Sequence, residues 1–275
     1  MDKKVNLTNE ELEKLAGFLQ KKIGICLESS KLLRFKRKIE DILIQRGIDN
    51  FNIFYHQLRF TCDAELIQDL INAVTVNETY FWREHEQFKT LVKEVLPLYI
   101  QKGSMPRVRI LVSPCSSGEE LYSIMLAILQ EGTLLDRLNI EMIGIDIDSS
   151  MIHKAKQALY SKRSIDRLPK DILQKYFTKV GNFYQLDKAI RDSARFMQAN
   201  IFDETLDKKL GTFDIIFSRN MLIYFNSHDK QRSFQVFHKL LKKDSYLFLG
   251  HADANEIDRR LFMPVKSGFH LFKRI

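Results

Sequence analysis

Residues 110–124 read ILVSPCSSGEELYSI, and the fold turns on what this stretch is. Its first half is an apolar run that suits a buried strand, and its second half begins a helix. Between them lies one glycine, Gly118, followed by two acids, Glu119 and Glu120. A strand–turn–helix that holds a phosphate presents amides from a glycine-rich turn and keeps carboxylates away. The G-x-G-x-x-G spacing is absent from SPCSSGEE, and the two acids would repel a pyrophosphate. They would welcome a cationic ligand, and they would equally suit the N-terminus of the helix itself, where the dipole favours negative charge.

Outward from this stretch, short apolar runs alternate with helical patterns. RVRILVSP, IEMIGIDI, FDIIFS and SYLFLGH read as strands, while GEELYSIMLAILQ, SSMIHKAKQALY and SHDKQRSFQVFHKLLKK read as helices. The alternation predicts an α/β fold, a Rossmann-like parallel sheet wrapped by helices. Ligands in such sheets bind beyond the carboxyl ends of the strands, which puts Cys115 to Glu120 at the expected site. Residues 160–194 break the alternation. A Pro169 helix start and a Gly181-Asn182 turn between aromatic runs predict a small inserted β-subdomain with a hairpin.

The first 75 residues read as helix throughout. Thr8 and Glu11 have capping-box spacing, and Leu12, Leu15, Phe18 and Leu19 follow at helical intervals. A second helix is expected through KLLRFKRKIEDILIQRG, with Gly47 as its stop, and shorter ones through FNIFYHQLR and DAELIQDLINAV. The expected division is a helical domain over 1–75 and a sheet domain over 76–275, with 160–194 inserted.

Composition bounds the function. The chain has 275 residues, 45% hydrophobic and 28% charged, ordinary for a globular protein. No apolar run approaches the roughly 20 residues of a membrane span, and the polar N-terminus does not read as a signal peptide. Cys26, Cys62 and Cys115 are odd in number and widely spaced, which suggests neither a disulfide framework nor a zinc site and points to a reducing cytoplasm. The net charge of +8 either favours an acidic partner or only aids solubility.

Three further stretches carry chemistry. In GIDIDSS, Asp146 ends the second strand, where an acid can accept two hydrogen bonds from a ribose diol, while Asp148 reads as a helix cap with Ser149 and Ser150. An adenosine-type cofactor with positive charge and no phosphate fits both this acid and the acidic turn. S-adenosylmethionine is such a molecule. In FSRNMLIYF, residues 217–225, Arg219 and Asn220 follow a strand and Tyr224 can return over the site, or it can be a core aromatic. In TVNETYFWRE, residues 75–84, Asn77, Thr79 and Arg83 can serve a cleft that the linker crosses, or the linker can simply be solvated. Arginine offers a planar fork for a carboxylate.

Taken in order, TVNETYFWRE, CSSGEELYSI, GIDID, SRNMLIYF and LGHAD closely resemble the CheR chemotaxis receptor methyltransferases, over nearly the whole chain. The resemblance implies an S-adenosylmethionine-dependent protein-glutamate O-methyltransferase. Its expected partner is the cytoplasmic coiled coil of a chemoreceptor, with no nucleic acid, no membrane insertion and a monomeric state. It implies cofactor contacts from Asn77, Thr79, Arg83, Glu119 (with Glu120 the less favoured alternative), Asp146, Asn200, Ile201, Arg219 and Asn220. Arg83 and Tyr224 are the pair expected nearest the transferred methyl. The basic run Arg34, Lys36, Arg37 and Lys38 is either a solvated face or, given glutamate-rich methylation regions in the family, an electrostatic dock.

The sequence departs from the family at Trp82, where phenylalanine is common. It departs again at Leu121, where proline is usual, and at Ala252-Asp253, where Ser-Glu is common. The short hairpin points to an enzyme that does without a receptor tether. Two other readings remain, a nucleic-acid methyltransferase and a non-catalytic cofactor-binding module. NMLIYF lacks the prolines of an amino-group methylation loop, and intact Arg83 and Tyr224 oppose the second.

Overall fold

The computed structural model describes residues 5–27, 29–61, 63–101, 103–266 and 270–275, apart from the side chains of 29–31. Cys62 therefore lies outside the described residues. Among the described residues there are ten strands: β1 (Arg107–Val112), β2 (Asn139–Asp146), β3 (Leu159–Ser161), β4 (Phe177–Val180), β5 (Phe183–Leu186), β6 (Ala194–Gln198), β7 (Phe213–Ser218), β8 (Leu241–Leu249), β9 (Phe262–Lys266) and β10 (Leu271–Arg274).

Seven of them form the main sheet in the order β6-β2-β1-β7-β8-β10-β9. From β6 to β8 all neighbours are parallel, and β10 is antiparallel to both β8 and β9. β7 is buried along its whole length, as expected of a strand covered on both faces, which reads as an unbroken apolar run. Helices Glu119–Gln130 and Ser149–Gln157 connect β1 to β2 and follow β2, while Ser227–Leu240 connects β7 to β8. The sequence pattern anticipated the parallel strands. It missed β9 and β10, whose runs are interrupted by Pro264 and lysines, and it missed the helical stretch within 86–100.

The chain order reverses at β1, which has β2 on one side and β7 on the other. That switch point opens a crevice at the carboxyl ends of the strands. β3, β5 and β4 form a separate antiparallel sheet, with β4 and β5 joined through Gly181 and Asn182.

Helices Asn9–Ile23, Ser29–Gln45, Phe51–His56 and Ala64–Val74 share their own core, from Leu7 to Val74. The first starts with the capping box read from sequence, the Thr8 and Glu11 side chains each bonding the other's backbone. This layer is stitched to the end of β2. The Gln68 amide donates to the Ile147 carbonyl at 2.9 Å, the Asn72 amide to the Ser149 hydroxyl at 3.0 Å, and the Thr75 hydroxyl to Asp148 at 2.6 Å. Among the described residues no helix is long and apolar enough to cross a membrane.

Candidate active site

A cavity of about 300 Å³ lies between the helical layer and the carboxyl ends of β1, β2, β6 and β7. Its floor is Ser113–Ser116 after β1, Ile145–Ile147 at β2, Ala199–Ile201 after β6 and Arg219–Met221 after β7. Its roof comes from Ile23–Leu27 without Gly24, from Arg34 and Phe35, and from the linker Val74–Tyr80 with Arg83.

The turn after β1 works through Gly118. Its φ is +94°, and a Cβ there would lie 3.0 Å from the Tyr122 ring and 3.2 Å from Ala155. Only glycine meets both conditions without strain, so one glycine suffices to launch the helix at Glu119. Successive helical residues point about 100° apart, and the two acids consequently part company. Glu120 lines the cavity. Glu119 does not; its carboxylate accepts from the Ser117 hydroxyl at 2.7 Å and the Ser164 hydroxyl at 3.2 Å. Of the two acids that the sequence offered, Glu120, the less favoured, is the one in the cavity wall.

The Glu120 side chain is half-buried in the cavity wall, 14% exposed. Burial pushes its carboxyl up to about 7, against the pull of Arg219. Its Oε2 lies 3.3 Å from Arg219 Nη1, and its Oε1 has no hydrogen-bond partner. Asp146 is buried and likewise raised, to about 6. It accepts the Ser116 amide at 2.7 Å and the Asp148 amide at 2.9 Å, which aims its carboxylate at the crevice. Asp148 caps the next helix, as the sequence suggested, accepting the amides of Ser150 and Met151. Its second oxygen takes the Asn77 side-chain amide at 2.8 Å. Asn77 thus lines the cavity while tying the linker to β2, and Thr79 lines it two residues on.

Arg219 is 3% exposed. Its Nη2 donates to the Arg83 carbonyl at 2.7 Å and its Nε lies 3.6 Å from Glu84. The linker there is contorted, with Trp82 at φ 66° and Glu84 at φ 49°. Such backbone persists only where surroundings hold it. The Ser123 hydroxyl accepts the Trp82 amide at 3.0 Å, and the Ser164 carbonyl accepts the Phe81 amide at 2.9 Å. Arg83 projects into the cavity wall from this clamp. Its Nη1 donates to the Glu78 carbonyl at 3.2 Å, and its guanidinium lies 5.5 Å from the Tyr80 ring centre.

Asn220 follows in a left-handed conformation, φ 59°, and Leu222–Tyr224 form one 3₁₀ turn. Tyr224 lines the cavity. Burial raises its phenol, while Arg83 and Arg34 pull it back down, and it stays protonated at neutral pH. Asp253 holds this loop from beneath, a role that its place in LGHAD did not suggest.

The third loop supplies Asn200 and Ile201. Both lie in the cavity wall, but the Asn200 side chain is already occupied. It donates to the Lys22 carbonyl at 3.0 Å and accepts the Phe202 amide at 2.9 Å. Cys26 and Ile25 were missed by sequence reasoning. The Cys26 amide donates to the Tyr224 carbonyl at 2.8 Å, and Ile25 pairs with Phe225. Nothing local in "GICL" signals this strap, because the contact spans the chain.

The basic run divides. Arg34, Arg37 and Lys38 are exposed, and Arg34 reaches the cavity mouth. Lys36 turns away to the Asn6 side chain at 2.7 Å and Glu40 at 3.7 Å. Lys38, though exposed, also donates to the Ala73 carbonyl at 3.4 Å.

The profile described as the CheR methyltransferase SAM binding domain matches residues 77–268, and that of the CheR methyltransferase all-alpha domain matches residues 10–75. The chain belongs to the CheR methyltransferase family. It is 37% identical over 249 residues to chemotaxis protein methyltransferase 2 of Vibrio cholerae, covering 90% of this chain and 86% of that protein. It is 35% identical over 254 residues to a chemotaxis protein methyltransferase of Campylobacter jejuni, covering 92% of each.

This CheR-family chain is therefore an S-adenosylmethionine-dependent methyltransferase. Its cavity fits that cofactor on chemical grounds. Burial raises both Glu120 and Asp146, and Glu120 Oε1 lacks a partner. A ligand with an ammonium and a sulfonium relieves both conditions, whereas a phosphate would worsen them.

Proposed function

We propose that the protein methylates glutamate side chains on the cytoplasmic region of chemotaxis receptors, in the cytoplasm, forming γ-glutamyl methyl esters. The observation that carries this reading is the convergence of Arg83, Arg34 and Tyr224 on one cavity. The Arg83 contacts are a carbonyl and an aromatic face, which leave its charge available to an incoming carboxylate. The names of the relatives add chemotaxis as the setting.

When bound, S-adenosylmethionine supplies an electrophilic methyl group. Glu120 would hold its ammonium, Asp146 its ribose, and Ile201 would pack on its adenine. Asn77, Thr79, Arg219 and Asn220 complete the wall. A substrate carboxylate is ionised at neutral pH, so the protein has no proton to remove. Its residues act by positioning and by excluding water. Arg83 steers the carboxylate, and the protonated Tyr224 hydroxyl donates to it. Arg83 must not bind too tightly, because the nucleophile loses charge in the transition state.

The test is a filter assay with tritiated cofactor on receptor cytoplasmic fragments, RNA and DNA. Label confined to receptor supports the reading. Label in nucleic acid, or in none of the three, contradicts it.

A further inference from the structure

We propose that Asp253 is a positioning residue for methyl transfer. Its buried carboxylate holds the turn 220–224, and through it the Tyr224 hydroxyl, over the cavity.

Asp253 is 2% exposed and lies outside the cavity wall. Its Oδ2 accepts the Asn220 amide and its Oδ1 accepts the Ile223 amide at 3.2 Å. It also acts on the Leu222 amide. These are the donors that a left-handed residue and a single 3₁₀ turn leave unpaired. The turn is too short to hold itself, since one helical turn costs more entropy than its bonds return. An external acceptor is what fixes it.

Nothing else explains this carboxylate. Burial raises it to about 6, and the nearby acid, Glu84, raises it further. A charge so placed persists because it is hydrogen-bonded to the loop. Gly250 is cut to the same purpose. A Cβ there would lie 2.6 Å from Asp253 Oδ2 and 3.1 Å from the Asn220 amide. The carboxylate and the loop amide occupy the space a side chain would need. Gly250 and Asp253 are further joined by the Asp253 amide donating to the Gly250 carbonyl at 3.0 Å. The end of β8 thus clamps the loop that follows β7.

The inference rests on the reading of Tyr224 given above, and the experiment separates the two. Asp253→Asn keeps the shape but offers one acceptor where two are used. It should lower kcat on a receptor fragment about tenfold or more, with a smaller change in KM for the receptor. In a Tyr224→Phe background the same substitution should add less than about threefold, since a clamp has nothing left to position. Gly250→Ala presses on the carboxylate without altering it and should reproduce the defect, so the test survives if Asp253→Asn folds poorly. A defective Tyr224→Phe beside a silent or fully multiplicative Asp253→Asn overturns the inference alone. A silent Tyr224→Phe defeats the reading of the tyrosine and this inference with it.

Discussion

Glu120 and Arg219 face each other across the cavity wall, Oε2 and Nη1 3.3 Å apart, with the arginine side chain wholly buried. The pair is incomplete. Glu120 Oε1 and Arg219 Nε and Nη1 are left without hydrogen-bond partners, and unpaired buried groups of this kind are costly. A cationic ligand would give Glu120 Oε1 its partner, while the Arg219 donors call for an acceptor such as a ligand carboxylate.

Glu120→Gln is therefore expected to weaken binding of S-adenosylmethionine and S-adenosylhomocysteine. Loss of a charge-assisted bond, about 1.5–3 kcal/mol, corresponds to roughly tenfold to a hundredfold in affinity. Glu119→Gln, which changes a carboxylate held by two serine hydroxyls away from the cavity, should alter affinity only a few-fold. Isothermal titration calorimetry on both variants reads the difference, and the reverse ranking would restore Glu119 as the contact.

Cofactor binding should also release a proton. Burial holds Glu120 at about 7 and Asp146 at about 6 in the free protein, above the ordinary carboxylate range. The folded chain keeps protons there that the unfolded chain has lost. Stability from these groups is therefore complete below the ordinary range and is lost as pH rises through about 6 to 7. A cation beside the carboxylates favours their charged form, so affinity should rise with pH over that window. Calorimetry in buffers of different ionisation enthalpy measures the released proton, and Glu120→Gln should remove most of it. Binding that is independent of pH would refute this.

Arg83→Ala and Tyr224→Phe should separate chemistry from binding. Arg83 and Tyr224 are assigned to the incoming carboxylate, so kcat should fall by about tenfold to a thousandfold while cofactor affinity changes only a few-fold. Equal losses in both quantities would place these residues in cofactor binding instead.

Gly24→Ala should damage the roof of the site. Gly24 has φ +76°, and a Cβ would sit 2.3 Å from the Phe202 ring. Backbone strain and overpacking together predict a loss of about 2–4 kcal/mol, read as a lowered midpoint in urea. Weaker cofactor binding should accompany it, because Phe202 adjoins Ile201 in the cavity wall. A variant as stable as the parent would show that the strap is not closely packed.

Charge reversal at Arg34, Arg37 and Lys38 should weaken receptor methylation and its salt dependence, whereas reversal at Lys36 should not. The first three are exposed, and Lys36 is engaged with Asn6 and Glu40. Activity on receptor fragments across a salt series distinguishes them. Equal effects at all four positions would contradict the division.

The sequence made the parallel strands and the crevice legible, because the period of apolar residues and the position of strand ends are local facts. Asp146 and Asp148 were separable for the same reason, one ending a strand and the other starting a helix. Glu119 and Glu120 were not, since their directions depend on where Gly118 launches the helix. Asn200 showed the opposite failure. Its place in the wall was readable, but its amide is spent on Lys22, far away in sequence. Asp253 and the Cys26 strap were invisible because their partners lie on other elements. Edge strand β9 was hidden by Pro264 and Lys266, and the short β10 by its adjacent charges Lys273 and Arg274.

The central claim is that this cavity forms a methyl ester on a glutamate. The direct measurement is tandem mass spectrometry of a receptor cytoplasmic fragment after incubation with the protein and S-adenosylmethionine, before and after mild alkali. Methyl groups on glutamate side chains that alkali removes are expected. Alkali-stable methyl groups on lysine or arginine nitrogen would contradict it.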